Sequence, residues 1–303
     1  MLEELFKVSP AKETVLTIGV FDGVHLGHQR LILQTKDAAA KSNALSVVLT
    51  FSNHPLAVLS PGTAVTYLND LEERLELLKA LGVDYVIAVS FTEETAQLSA
   101  RQFVSLLRQS LKMRGLVVGP DFALGHNREG NVPTLRALGQ EMGFSVDTVE
   151  PITQGDQIVS STSIRRALAE GDVARAGKLL GRPFTLRGRV VKGEKRGKSL
   201  GFPTANIDVS ADQALPADGV YVTRAYVSDV VYPSATNIGI RPTFPENRRT
   251  VEVYIIDFND DLYGKRLKIE LVERLREEIR FESVEELKEQ MIKDVERTRA
   301  LLS

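Results

Sequence analysis

The run Gly19-Val20-Phe21-Asp22-Gly23-Val24-His25-Leu26-Gly27-His28-Gln29 places two imidazoles three residues apart among three glycines. Two such rings can donate hydrogen bonds to one anion. The apolar stretch before them, Thr14 to Val20, reads as a buried strand, and Gln29-Arg30-Leu31-Ile32-Leu33 reads as a helix. Where a strand hands over to a helix, free backbone N–H groups and the positive end of the helix dipole point outward, so phosphate is the expected guest. Zinc is the competing reading of paired histidines, but it lacks partners. The chain has no cysteine, only His54 and His126 besides, and no His-Glu-x-x-His arrangement. Gly23 and Gly27 flank His25, a pattern expected where backbone must approach a ligand closely.

A second group of candidates lies at Val159-Ser160-Ser161-Thr162-Ser163-Ile164-Arg165. Hydroxyls at a helix start cap it, and Arg165 falls about one turn further in, within reach of a phosphate held at that N-terminus. In the second half, Gly193-Glu194-Lys195-Arg196-Gly197-Lys198-Ser199 is one residue short of a P-loop and runs into Leu200-Gly201-Phe202-Pro203 where a helix would be required. Two readings remain: a glycine-rich basic flap over phosphates, or a solvated turn. Beyond it, an extended chain puts Thr204 and Asn206 on one face, and their hard oxygen donors suit magnesium. Further on, Thr250 to Phe258 alternates Val251, Val253 and Ile255 with Glu252, Tyr254 and Ile256, leaving Glu252 as a lone carboxylate among apolar neighbours.

The elements that must position these groups fall into two patterns. Up to residue 181, strands (Thr14 to Val20, Ala44 to Phe51, Tyr85 to Val89, Gly115 to Val118) alternate with helices (Leu71 to Leu81, Ala100 to Leu111). That order implies a mainly parallel sheet covered on both faces, with ligands beyond the carboxyl ends of its strands. In the helix Leu71 to Leu81, capped by Asp70 and ended by Gly82, the residues Leu71, Leu75, Leu78 and Leu81 are expected to form the inner face. A short helix, Asp172 to Leu180, ends at Gly181, and Pro183 follows. From Phe184 the pattern becomes short apolar alternation, predicting a small antiparallel barrel. We therefore place the boundary at 181/182, giving domains 1–181 and 182–303. Ser283-x-x-Glu286 reads as a capping box opening a last helix whose stripe Val284, Leu287, Met291 and Val295 should pack on the barrel.

Composition bounds the function. The 303 residues are 43% hydrophobic, enough for two cores. Split at 181, the first part carries 17 basic and 20 acidic residues and the second 21 and 20, so neither has the positive excess of a nucleic-acid binder. Small ligands are the expected partners, and nothing in the chain indicates an oligomeric state. No run approaches the roughly 20 apolar residues of a membrane span. The acidic start Met1-Leu2-Glu3-Glu4-Leu5 is unlike a signal peptide, and cysteine is absent, so a cytoplasmic location is expected.

The Gly19-to-Gln29 loop, Thr50-Phe51-x-x-His54-Pro55, Val118-Gly119-Pro120-Asp121-Phe122 and Ser161-Thr162-x-Ile164-Arg165, in this order and spacing, resemble the adenylyltransferase module of bacterial bifunctional riboflavin kinase/FAD synthetases. Gly201-Phe202-Pro203-Thr204-Ala205-Asn206, Gly219-Val220-Tyr221, Asn237-Ile238-Gly239-x-Arg241-Pro242-Thr243-Phe244 and Val251-Glu252-Val253 resemble the riboflavin kinase module. The resemblance implies a Rossmann-like nucleotidyltransferase domain (α/β) followed by an all-β six-stranded barrel with a C-terminal helix. It implies that riboflavin and ATP give FMN, and that FMN and a second ATP give FAD and pyrophosphate, with Mg2+ assisting. By resemblance, ATP phosphates lie near His25, His28, Ser161, Thr162 and Arg165, with Gly19, Phe21 and Gly27 in the same nucleotide loop, and FMN toward Asp121 and Phe122. In the kinase module, Glu252 takes the place of the catalytic base, Thr204 and Asn206 hold the metal, Gly193, Lys198 and Gly201 belong to the nucleotide flap, and Arg276 with Phe281 helps enclose the flavin. Two positions depart from the family pattern: Asn53 replaces a usual proline, and Leu124 a common aromatic. Both are expected to bear on the flavin side.

Overall fold

The computed structural model describes residues 4–5, 7–193, 201–228, 230–240 and 249–302. Its chain divides into two compact units, Met1–Ser161 and Thr162–Ser303.

In the first unit, β1 (Thr14–Gly19), β2 (Leu45–Phe51), β3 (Tyr85–Val89), β4 (Met113–Val118) and β5 (Ser145–Thr148) form one parallel sheet in the order β3-β2-β1-β4-β5. Strands buried on both faces need apolar side chains in both directions, and β1 and β2 have them: Leu16, Ile18, Val47 and Leu49 enter one core, Val15 and Val48 others. One face is covered by α3 (Ala100–Leu111) through Phe103, Val104 and Leu107, and by α4 (Val132–Met142) through Leu135. On the other lie α1 (Leu26–Lys41) through Ile32 and α2 (Leu71–Ala80) through Leu78. The order reverses between β1 and β4, and the loop leaving β1 opens at that switch point, where such sheets bind ligands.

Helix starts follow their caps. Asp70 accepts from the Glu73 N–H at 2.8 Å, and Ser99 with Gln102 forms a reciprocal capping box on α3. The inner face of α2, however, differs from the expected leucine stripe. Arg74 and Leu78 are its fully buried residues at 1% and 0% exposure, while Leu71 and Leu75 are only half-buried. The apolar pattern misplaces the face because a buried guanidinium occupies its centre.

From Ser161, the last residue of the first unit, α5 (Ser161–Ala169) leads to α6 (Val173–Leu180), which Asp172 caps and Gly181 ends at φ +74°. Helix α6 packs on the first and last barrel strands, so by contacts the division falls after Ser161. The barrel is closed and antiparallel: β6 (Phe184–Val191), β7 (Thr204–Asp208), β8 (Gly219–Val227), β9 (Val230–Ile240), β10 (Arg249–Ile255) and β11 (Arg266–Arg276), ordered β6-β7-β10-β9-β8-β11. Closure leaves no sheet edge unpaired. Val251, Val253, Ile255, Leu267, Ile269 and Leu271 fill the interior with Thr223, whose hydroxyl lies 2.7 Å from those of Ser234 and Thr236. Alternate residues, Glu252 and Tyr254 among them, face outward.

Across β8 and β9 lies α7 (Val284–Leu302). Ser283 Oγ accepts from the Glu286 N–H at 3.2 Å, but the Glu286 carboxylate takes the N–H of Glu282 rather than that of Ser283, so the expected capping box is half formed. The packing stripe also differs. Val284 is 56% exposed, and the buried residues of the helix are polar, Asp294 and Thr298, with Leu287, Met291 and Val295 half-buried beside them.

Candidate active sites

In the first unit the loop from β1 to α1 is held by its own side chains. His25 is the N-cap of α1, its Nδ1 accepting from the His28 N–H at 3.3 Å. An Nδ1 that accepts has no proton, so the neutral ring carries its N–H on Nε2, a donor of the kind that suits an anion. The two imidazoles stack at 3.6 Å with 19° between planes, and Phe21 meets His28 edge-on at 5.2 Å. Phe21, Gly23 and Val24 all have positive φ (53°, 81° and 41°). For a β-branched residue this is strained backbone, kept in place by burial and by the Gln29 side-chain amide donating to the Val24 carbonyl at 2.9 Å.

Two glycines have reasons internal to this loop. A Cβ on Gly27 would stand 3.1 Å from the His25 ring, and one on Gly19 would stand 3.2 Å from the Phe21 ring. Gly27, where the sequence pattern leads one to expect close ligand approach, also makes room for the neighbouring imidazole. His28 Nδ1 is buried and has no hydrogen-bond partner among the described residues. Burial, reinforced by His25 and Arg74, holds its pKa well below the ordinary histidine value, so this imidazole is neutral at pH 7.

Asp22 organises the surroundings. Its Oδ1 accepts from Leu68 N–H at 2.9 Å, Gly23 N–H donates to Asn69 Oδ1 at 3.1 Å, and Ser161 Oγ donates to the Asp22 carbonyl at 2.9 Å. The structure thus brings Ser161 to the histidine loop. Thr162 and Arg165 follow on α5, in the second unit. Asp121 and Phe122 lie in a turn after β4, at the same carboxyl edge of the sheet as the histidine loop. Phe122 N–H donates to the Gly119 carbonyl at 3.2 Å and Arg128 to the Asp121 carbonyl at 3.0 Å. The two departures have structural employment: Asn53 exchanges two hydrogen bonds of 2.8 Å with the backbone of Phe91, and Leu124 is buried in the main core.

Sequence reasoning missed Arg74. Its Nη1 donates to the Val20 carbonyl at 3.1 Å and its Nη2 to the Phe51 carbonyl at 2.9 Å, tying together the exits of β1 and β2. The available signal was a cation inside an apolar helical stripe.

In the second unit, strand register aligns the candidates. Asn206, Glu252 and Asn237 stand directly opposite one another across β7, β10 and β9, and Thr204, Tyr254 and Ala235 form the adjacent row. Both rows face outward. A cavity of about 580 Å³ between this face and α7 contains Thr204, Asn237, Glu252 and Arg276, with Ile240, Phe281 and Met291 among its apolar walls. A second cavity, of about 440 Å³, lies on the other side of Thr204, bounded by Pro203, Phe258, Asn259, Asp260 and Tyr263. Thr204 lines both. The backbone at Gly193 is packed so closely on Asn206 that a Cβ there would overlap the amide. Gly201 has φ +88°, while Lys198 and Arg241 to Phe244 lie outside the described residues. Arg276 is held by Asp294 of α7, a partner that sequence reasoning did not foresee.

A parallel sheet with a histidine loop at its switch point, followed by a closed barrel with a carboxylate lining one of two cavities, is the architecture of a nucleotide-using transferase. The comparisons agree unit by unit: a family model described as FAD synthetase matches residues 7–163, and one described as riboflavin kinase matches residues 180–302. Curated relatives named bifunctional riboflavin kinase/FMN adenylyltransferase are 39% identical in Escherichia coli K12 (94% of this chain, 92% of the relative) and 39% identical in Bacillus subtilis (96% and 92%). A crystal structure from Streptococcus pneumoniae, described as a macrolide-efflux protein, superposes with a TM-score of 0.90 at 33% identity, covering 97% of this chain and 96% of that one. The efflux description belongs to that protein; among the described residues of this chain no helix is long and apolar enough to cross a membrane. The chain belongs to the bifunctional riboflavin kinase/FMN adenylyltransferase family. It is an enzyme of flavin cofactor biosynthesis with both activities.

Proposed function

We propose that the two activities divide as the two sites do, residues 1–181 adenylylating FMN and residues 182–303 phosphorylating riboflavin. The observation that carries the kinase assignment is Thr204, shared by two cavities, with Glu252 in one of them. Riboflavin occupies the cavity under α7, where Glu252 accepts the proton of its terminal hydroxyl, a poor nucleophile until that proton leaves. ATP occupies the other, with Gly193, Lys198 and Gly201 in the flap over its phosphates, so that the γ-phosphate meets the hydroxyl at Thr204. Arg276 forms part of the flavin cavity's wall.

Magnesium suits this arrangement. Thr204 and Asn206 offer two neutral oxygens beside Glu252, and no cluster of three or more His, Asp or Glu side chains that could hold a metal exists among the described residues. A cation that keeps its waters and binds nucleotide phosphates needs no more protein ligands than these. When bound, it neutralises phosphate charge.

In the other half, the FMN phosphate, with a second pKa of about 6, is mostly ionised at pH 7 and attacks the α-phosphate of ATP without a general base. His25 Nε2–H, the neutral His28 imidazole and the N-terminus of α1 hold the phosphates, in the loop of Gly19, Phe21 and Gly27. Ser161, bonded to the Asp22 carbonyl, adds its hydroxyl to the nucleotide site, pyrophosphate departs, and Asp121 and Phe122 border the flavin. The work is positioning and charge stabilisation. The cytoplasm is the proposed compartment, with small molecules and no nucleic acid as partners.

Thr204→Val keeps the side-chain volume and removes the oxygen. It should abolish riboflavin phosphorylation while FMN is still converted to FAD, each measured by separating flavins after incubation with ATP and magnesium. Normal FMN formation by that variant would overturn the assignment.

A further inference from the structure

On the packing face of α7 a carboxylate is buried where an apolar side chain would ordinarily stand. Asp294 is 7% exposed. It receives Arg276 Nη2 at 2.8 Å and Nε at 3.1 and 3.2 Å, and Gln290 Nε2 at 2.9 Å. Arg276 ends β11, donates its Nη1 to the Glu277 carbonyl at 3.0 Å, and carries the Phe281 ring 5.8 Å from its guanidinium carbon. Arg276, Phe281 and Asp294 all line the cavity that holds Glu252.

Burying an ion pair is a poor route to stability, because desolvation offsets most of the attraction. What such a pair does supply is a fixed geometry. The Arg276 guanidinium is gripped by a carboxylate while its carbon stays within cation–π range of the Phe281 ring. Without Asp294 the guanidinium would lose its main tether, and Phe281 would lose the fixed cation beside it.

We propose that Asp294 is a positioning residue of the kinase site: it clamps Arg276 so that Phe281 stands as a fixed wall of the flavin cavity. The inference rests on the reading that this cavity takes riboflavin. Asp294 acts through Arg276 and Phe281 and touches no reacting atom, so its loss weakens flavin binding and leaves phosphoryl transfer intact once the flavin is bound.

The test uses the full-length enzyme and both of its reactions. Asp294→Asn should raise the KM for riboflavin about tenfold or more, with kcat of phosphorylation within about twofold and conversion of FMN to FAD unchanged. Arg276→Lys should show the same split to a smaller degree, and the double variant should be no worse than the worse single one, as expected of side chains acting as one unit. Equal losses of kcat and of affinity in Asp294→Asn, or an unchanged KM, would overturn the clamp. So would a normal riboflavin KM in Arg276→Lys, because the clamp acts only through that guanidinium. Met291→Trp fills the cavity without removing the pair and separates the two ideas. If it blocks riboflavin binding while Asp294→Asn is normal, the clamp alone fails. Normal binding by Met291→Trp removes the cavity assignment and the clamp with it.

Discussion

On the proposed division of labour, the histidine loop and the barrel face would handle phosphate transfer in opposite ways, because their nucleophiles arrive in different states. In the first unit the groups sit on a loop at the carboxyl edge of a parallel sheet, where backbone N–H groups and a helix N-terminus already favour anions. Its nucleophile is itself an anion, and the loop holds two stacked imidazoles whose Asp22 neighbour is committed to the Leu68 N–H. In the second unit the groups project from the outer faces of three paired strands, at positions fixed by register. There the nucleophile is a neutral hydroxyl, and the central residue is a carboxylate, Glu252. A loop suits a task of cradling charge; a strand face suits a task of placing one base against one proton.

The contrast breaks most directly at Glu252. Glu252→Ala should lower riboflavin phosphorylation by about 10³-fold, within the usual range for loss of a general base, and leave FMN adenylylation unchanged. Loss of both activities in a folded variant would show that the sites are not separate. His28→Ala is the counterpart and should be smaller, about 10²-fold on FMN adenylylation with FMN accumulating, because one neutral donor among several is lost. An unchanged rate of FAD formation would remove His28 from the phosphate site. Gly27→Ala leaves every donor in place but sets a methyl 3.1 Å from the His25 ring, so about a tenfold loss confined to adenylylation is expected from misplacement alone.

Why some of this was legible in the sequence and some was not follows from what periodicity can report. Tyr85–Val89 and Ala100–Leu111 have the limits read from their patterns, because apolar alternation and helix caps are local signals. The outward face of Glu252 was legible for the same reason, from the unbroken two-residue repeat of Val251, Val253 and Ile255. Arg74 and Asp294 were not, since a charge on a helix reads as its wet face until the partner is known. Those partners, the carbonyls of Val20 and Phe51 and the guanidinium of Arg276, come from distant segments. The close packing at Gly27 was not legible, because it comes from a ring two residues earlier folding back over it.

The smallest expected effect separates the units by pH. All four histidines of the chain, His25, His28, His54 and His126, belong to the first unit, so histidine-linked stability is a property of that unit alone. For His28 the native pKa is depressed, chiefly by burial and further by His25 and Arg74. As pH falls below about 6.5 the unfolded chain takes up a proton that the native ring refuses, so unfolding binds protons and stability falls with falling pH. The contribution is complete above the unfolded pKa and is lost as the pH drops toward the native one. Between pH 7 and 5.5 the first unit should lose about 1 kcal/mol through this group, and His28→Gln should remove that slope. Amide hydrogen exchange resolved by segment is the measurement, with β1 and β2 compared against β9 and β10. A slope of equal size in the barrel strands, or one that survives His28→Gln, would mean that the buried imidazole is not what sets the acid response of the first unit.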